Sequence, residues 1–216
     1  TVIKVLLSTL VILDFILLNL STMMFIMFAL KNKYFFIIES IKDIDLSNIK
    51  ISNKFNIIYR NKNKTENIDK LLKFRKICKN KRIDFYVSNN TKLASILKAD
   101  GLYISAHNIN LNLSKLRNAN YKIIGSAHNI KELNIKVLQG CSDIIFSRLF
   151  KTSYAYKKSF LGVIKFNLLN ISRNENLVPL GGITSANLNK IKMVRCRSIV
   201  ILSEIKKKPA IISRLF

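Results

Sequence analysis

The chain has 216 residues, enough for one domain with a real core, and 49% of them are apolar with only 6 Gly and 2 Pro, which excludes a disordered or collagenous polymer. Its 37 Lys and Arg outnumber 12 Asp and Glu, for a formal charge of +25. They are spread among Asn and Ile, as in NKNKTEN (61–67) and KNKR (79–82), so they do not form the aromatic-interleaved patch of a nucleic-acid binder. The three cysteines, Cys78, Cys141 and Cys196, lack paired or metal-ligand spacing; they are expected as buried thiols in a reducing compartment, without a disulfide framework or zinc site.

The first 30 residues stand apart. VLLSTLVIL, FILL and MMFIMFAL run almost without interruption, Lys4 precedes them, and Lys31 and Lys33 lie just beyond. About 20 apolar residues span a bilayer as a helix, and the flanking lysines place the remainder of the chain on the inner side. Asp14 within such a span costs about 2.5–3.5 kcal/mol. Two readings of residues 1–30 therefore stand: a transmembrane-like anchor, or a mis-started frame upstream of a true start between Met23 and Lys31.

From residue 33 the pattern changes to short apolar runs separated by amphipathic stretches. The runs are YFFIIES (34–40), FNIIYR (55–60), IDFYVS (83–88), GLYIS (101–105), YKIIGS (121–126), DIIFS (143–147), NLVPLGG (176–182) and SIVILS (198–203). Each has the length and β-branched or aromatic content of a buried parallel strand. Between them, residues 67–80 place Ile68, Leu71, Leu72, Ile77 and Cys78 near one side of a helix. TKLASILKA (91–99) and residues 129–140 are also helical, the latter with Asn129 at its start and Gly140 just past its end. Eight strands alternating with helices predict an α/β fold, a (β/α)8 TIM barrel over residues 33–216. An open doubly wound sheet is the fallback, and it is opposed by the lack of a GxGxxG or P-loop after the first strand. The closing stretch IKKKPAIISRLF (205–216) is short for an eighth helix.

In such a barrel the chemistry gathers at the carboxyl ends of the strands. Here those ends carry Arg60, Asn61 and Lys62; Ser88, Asn89 and Asn90; Ser105, His107 and Asn108; Ser126, His128 and Asn129; Ser147 and Arg148; Gly181, Gly182 and Thr184; Ser203 and Glu204. Hydroxyls, amides and cations with almost no carboxylates suit a multiply charged anion. Gly181-Gly182 after the seventh run allows backbone N–H groups to approach a phosphate, and Ser203 after the eighth would complete that cup. His107 and His128 each come after Ser-Ala and precede Asn. Neither has a carboxylate in an evident partnering position, so a structural or ligand-contacting role is expected rather than proton transfer.

YRNK (59–62), FYVSNNTKLA (85–94), KADGLYIS (98–105), IIGSAHNIKEL (123–133), SDIIFSRLFKT (142–152) and LGGI (180–183), in this order and spacing, resemble the thiamine phosphate synthase family, which includes a thiazole tautomerase branch. The resemblance implies a (β/α)8 barrel that joins a hydroxymethylpyrimidine pyrophosphate to a thiazole phosphate, with Mg2+ helping pyrophosphate depart. It also implies phosphorylated pyrimidine and thiazole small molecules as partners. On it, Arg60 and Lys62 contact the pyrophosphate with Ser126 and Thr152 assisting, and Gly181, Gly182 and Ser203 hold the thiazole phosphate. A cytoplasmic location is expected, tethered to the inner membrane face through residues 5–30 if the leader is an anchor.

The departures fall on the metal. Asn89 and Asn108 occupy the positions of the family's two expected Mg2+ carboxylates, and amides bind that ion far more weakly. Ile58 or Tyr59 replaces a Gln before the Arg segment, Ala155 replaces a Lys beyond Thr152 (with Lys157 and Lys158 close by), and Arg148 replaces the tautomerase His. Three readings remain open: a divergent synthase whose cations partly replace magnesium; a member that binds thiazole phosphate or thiamine phosphate without turnover; and, more remotely, a basic nucleic-acid or membrane-surface protein.

Overall fold

The computed structural model describes residues 33–49, 52–61, 66–119, 121–152, 159–184 and 187–201. The apolar leader, Lys62, Lys157, Lys158, Ser203 and the closing stretch 205–216 lie outside these.

Every expected run forms a strand: β1 (Lys33–Ile38), β2 (Phe55–Tyr59), β3 (Asp84–Ser88), β4 (Gly101–Ile104), β5 (Lys122–Ala127), β6 (Asp143–Ser147), β7 (Asn176–Leu180) and β8 (Ser198–Ile201). They pair in parallel in the order β7-β6-β5-β4-β3-β2-β1-β8. β7 and β8, the two ends of this ladder, come alongside each other, so the sheet curls into a nearly closed (β/α)8 TIM barrel. The helices are α1 (Ile68–Asn80), α2 (Thr91–Ile96), α3 (Ile130–Leu138), α4 (Gly162–Ile171) and α5 (Leu188–Ile191). Short 3-10 turns link β1 to β2, and a 3-10 stretch, Leu111–Ala119, links β4 to β5.

Two apolar layers result. Phe35, Ile37, Ile58, Tyr86, Tyr103, Ile124, Ile145, Val178 and Val200 fill the barrel interior. Their alternate neighbours, among them Phe36, Ile57, Phe85, Leu102, Ile144 and Leu177, pack outward against the helices. The helix caps match the sequence: the Asn129 side chain accepts from the Glu132 N–H, and Gly140 comes after α3 with φ +75°. The buried face of α1 matches only at Leu71 and Cys78. It is Leu71, Phe74, Arg75 and Cys78, at i, i+3, i+4 and i+7, while Ile68, Leu72 and Ile77 are exposed. Arg75 belongs to the buried face because it is paired. Its Nη2 lies 2.9 Å from Asp100 Oδ1, its guanidinium also donates to the Lys98 carbonyl, and Asp100 Oδ2 accepts from the Phe85 N–H at 2.7 Å.

All three cysteines are free, and burial pushes each thiol up to about 12, as expected of inert packing residues.

Candidate functional site

The alternation that fills the barrel also builds its rim. Two residues beyond the inward-facing Ile58, Tyr86, Tyr103, Ile124 and Ile145 stand Arg60, Ser88, Ser105, Ser126 and Ser147, an arginine and four hydroxyls on one ring. Two residues before Tyr86, Ile124, Ile145 and Val178, at the opposite end, stand Asp84, Lys122, Asp143 and Asn176. Lys122 Nζ pairs with Asp84 Oδ2 at 2.9 Å, and Asn176 donates to Asp143. The acidic side chains within these barrel strands therefore sit at the amino end, and the strands' carboxyl ends carry hydroxyls and Arg60, with Glu66 and Glu132 held by hydrogen bonds in the stretches beyond. That separation favours anions at the rim.

Arg60 is set by the ends of β1 and β2. Its N–H donates to the Ile38 carbonyl at 2.8 Å. Beside it, Glu66 Oε2 accepts from the Tyr59 hydroxyl (2.9 Å), and Glu66 Oε1 accepts from Ser40 Oγ and the Ile41 N–H. Asn61 donates to the Tyr59 hydroxyl at 2.8 Å, and burial chiefly pushes that hydroxyl up to about 12. Glu66, which no sequence pattern marks, thus ties the turn after β1 to the end of β2 beside Arg60. Inside the rim, burial raises the Tyr103 pKa, and the nearby Ser126 hydroxyl and Arg60 charge partly oppose that rise.

Asn89 and Asn108 meet directly. Asn89, at φ +54°, accepts through Oδ1 from the Ser105 N–H (3.1 Å) and from Asn108 Nδ2 (3.2 Å), and its Nδ2 donates to Ser105 Oγ (2.9 Å). Asn108 Oδ1 accepts from the Asn110 N–H at 3.0 Å. Behind that loop, the Lys136 ammonium donates to the Asn108 carbonyl (2.6 Å) and to Gln139 Oε1 (2.9 Å), and Gln139 Nε2 donates to the Asn108 and Asn110 carbonyls. Lys136 and Gln139 are both fully buried, and desolvation lowers the Lys136 pKa. Two neutral amides whose oxygens are already engaged do not suit Mg2+, which favours charged oxygen ligands in an octahedron. Among the described residues, no group of three or more His, Cys, Asp or Glu is placed to hold a metal ion.

His107 and His128 approach with ring centroids 6.3 Å apart. His128 Nδ1 lies 2.5 Å from Ser147 Oγ, and its backbone N–H donates to Glu132 Oε2 at 2.7 Å. Glu132 therefore holds the His128 backbone, and Ser147 meets its ring. His128 and Ser147 also line a cavity of about 450 Å³ with Arg148, Thr152, Lys165 and Gly181. Within it Arg148 Nη1 donates to Thr152 Oγ1 at 3.2 Å.

Gly181 and Gly182 adopt φ +100° and +69°. A Cβ on Gly182 would stand 2.5 Å from the Lys151 carbonyl oxygen and 2.6 Å from that of Phe150. The Phe150 N–H donates to the Gly181 carbonyl and the Leu149 N–H to the Leu180 carbonyl. The glycine pair thus has a structural reason the sequence did not reveal: it seats the loop after β7 against the loop after β6.

Of the expected site residues, Arg60, Asn89, Asn108, Ser126, Thr152, Gly181 and Gly182 all lie at the carboxyl ends of the strands. Of these, Thr152 and Gly181 line the cavity with His128, Ser147 and Arg148, and Asn89 and Asn108 meet each other beside Ser105; Arg60 and Ser126 do not line that cavity. Lys62 and Ser203 fall outside the described residues. Glu66, Tyr103, Lys136 and Gln139 are additions from the structure.

The fold and these strand ends together define a (β/α)8 barrel with a cationic, hydroxyl-rich mouth at the carboxyl ends of its strands. The thiamine monophosphate synthase family profile matches residues 49–205, and the chain belongs to that family. It is 28% identical over 130 residues to a thiamine-phosphate synthase of Prochlorococcus marinus, covering 60% of this chain and 38% of that relative. A Methanococcus vannielii thiamine-phosphate synthase is 26% identical over 148 residues, covering 68% of this chain and 71% of its own. The chain spans less than half the length of the Prochlorococcus relatives it matches. Among solved structures, a thiamine phosphate pyrophosphorylase from Pyrococcus furiosus superposes with a TM-score of 0.66 at 15% identity, covering 88% of this chain and 94% of that one. An Escherichia coli aldolase superposes with a TM-score of 0.60 at 10% identity, over 82% of this chain and 78% of its own. These two likenesses show the fold alone.

Proposed function

We propose that the chain is a transferase of the thiamine-phosphate-synthase type, joining a hydroxymethylpyrimidine pyrophosphate to a thiazole phosphate. The observation that carries this reading is the set of cations and hydroxyls at the carboxyl ends of the strands: Ser147, Arg148, Thr152 and Lys165 around one cavity, with Arg60 and Ser126 at the ends of β2 and β5. In such a transfer the pyrimidine–oxygen bond breaks first, pyrophosphate departs with the electron pair, and the thiazole nitrogen then bonds to the cationic carbon. The catalytic demand falls on the charge that gathers on the departing oxygens, which fixed cations and hydroxyl donors meet best. Arg60 would hold the pyrophosphate with Ser126, while Thr152, oriented by Arg148, lines the cavity after β6. Gly181 and Gly182 would present backbone donors to the thiazole phosphate, with Lys62 and Ser203 in the supporting roles the resemblance gives them.

Arg60→Ala is expected to lower kcat/KM by about 100- to 1,000-fold. Arg60→Lys should recover only part of that, because an ammonium cannot reproduce the two-pronged geometry of a guanidinium. Steady-state kinetics on both variants test this, and an Arg60→Ala rate within about threefold of the parent would remove Arg60 from the mechanism.

A second reading, binding of thiazole phosphate or thiamine phosphate without turnover, is favoured by the hydrogen-bonded amides at Asn89 and Asn108. We place the chain in the cytoplasm, where its phosphorylated substrates would be found. Among the described residues no helix is long and apolar enough to cross a membrane. The membrane contact expected of residues 5–30 lies outside them.

A further inference from the structure

We propose that this chain handles its pyrophosphate-bearing ligand without a divalent cation, the locked Asn89–Asn108 amides and the buried Lys136 having replaced a cation site with a neutral-to-positive one. The inference rests on the transferase reading for its ligand, but its basis is the local chemistry.

The donor set is unsuitable for a hard cation. Asn89 Oδ1 is occupied by the Ser105 N–H and by Asn108 Nδ2, and Asn108 Oδ1 by the Asn110 N–H. A cation placed between the two side chains would meet the Asn108 amide hydrogens, and its entry would break three hydrogen bonds that hold the loop. Two carboxylates at the same separation would repel unless a cation bridged them, whereas two amides bond to each other. The pair is thus complete as it stands.

The field points the same way. The Lys136 ammonium is anchored on the Asn108 carbonyl and on Gln139, both neutral oxygens, directly behind the loop. Its side chain passes against Gly125, where a Cβ would stand 2.9 Å from Lys136 Cδ, so β5 is shaped to admit it. A cationic group there repels a second cation and favours an anion at the mouth. Arg148 and Lys165, which line the cavity, and Arg60 near Tyr103 then provide positive charge for a bound pyrophosphate.

The test uses the full chain and two probes. Mn2+ binding to the protein alone is monitored by electron paramagnetic resonance, and inorganic pyrophosphate binding by calorimetry in EDTA. The expected result is no bound Mn2+ at about 1 mM and measurable pyrophosphate binding in EDTA. The variant Asn89→Asp/Asn108→Asp, checked for folding by circular dichroism, should gain Mn2+ affinity by about tenfold or more. Submillimolar Mn2+ binding to the parent chain overturns the inference alone, as does a folded double variant that gains none. Pyrophosphate that binds only when Mg2+ is added also overturns it. Pyrophosphate that binds under neither condition overturns it together with the transferase reading.

Discussion

Replacing Asp100 with alanine is expected to destabilise the barrel by about 3 kcal/mol, toward the lower end for a broken buried ion pair because the Asp100 side chain is 30% exposed. Two losses combine. Arg75, only 10% exposed in its side chain, keeps the Lys98 carbonyl but loses its counter-charge, and the Phe85 N–H at the start of β3 loses its acceptor. For a chain of this size the change should lower Tm by about 6–12 °C. Asp100→Asn, which keeps an acceptor for the Phe85 N–H, should lose about half as much. Thermal unfolding of both variants measures this. A fall of less than about 2 °C for Asp100→Ala would show that the pair does not fasten α1 to the barrel wall.

Gly182→Ala should act as strongly, and it connects stability to the mouth of the barrel. A side chain at φ +69° is strained wherever it occurs, and here the new Cβ would also meet the Lys151 and Phe150 carbonyl oxygens at 2.5 and 2.6 Å. Neither oxygen belongs to a side chain that can swing away, so the loops after β6 and β7 must part. The expected cost is about 2–4 kcal/mol. The cavity lined by Arg148, Thr152 and Gly181 should distort with the loops, weakening pyrophosphate binding by about tenfold. Gly162→Ala is the control: its φ is similar at +70°, but nothing lies within 4 Å of the new Cβ. It should cost only about 1 kcal/mol and leave pyrophosphate affinity unchanged. Denaturant titration and calorimetry on the two variants separate backbone strain from loop displacement. Equal destabilisation in both would refute a role for the carbonyl contacts.

The barrel was legible because its signal is local. Each strand is a short apolar run, and period-two alternation assigns Ile58, Tyr86, Tyr103, Ile124 and Ile145 to the interior, from which the serine ring stands two residues on. The features that the sequence concealed depend on partners far along the chain. Arg75 looks like a solvated helix residue until Asp100, 25 positions away, reaches it, and so the buried face of α1 keeps Leu71 and Cys78 but takes Phe74 and Arg75 in place of Ile68, Leu72 and Ile77. Lys136 shares the buried face of α3 with Leu133, where the helical period leads one to expect an apolar residue, and its partner is a carbonyl 28 positions earlier. A lysine on the core side of an amphipathic helix was the available signal for it. Glu66, within the polar stretch 61–67, gave none. The two asparagines were legible as departures from a family pattern, but their mutual hydrogen bond was not, since it requires β3 and β4 to be neighbours in register.

Whether the barrel mouth carries out the transfer is decided by product formation with the full chain. Hydroxymethylpyrimidine pyrophosphate and thiazole phosphate are supplied together, and thiamine phosphate and released pyrophosphate are monitored by phosphorus NMR. Both products are expected in equal amounts, and only when both substrates are present. Binding of either substrate with no product would contradict the transferase assignment and leave a barrel that retains the family's ligands without joining them.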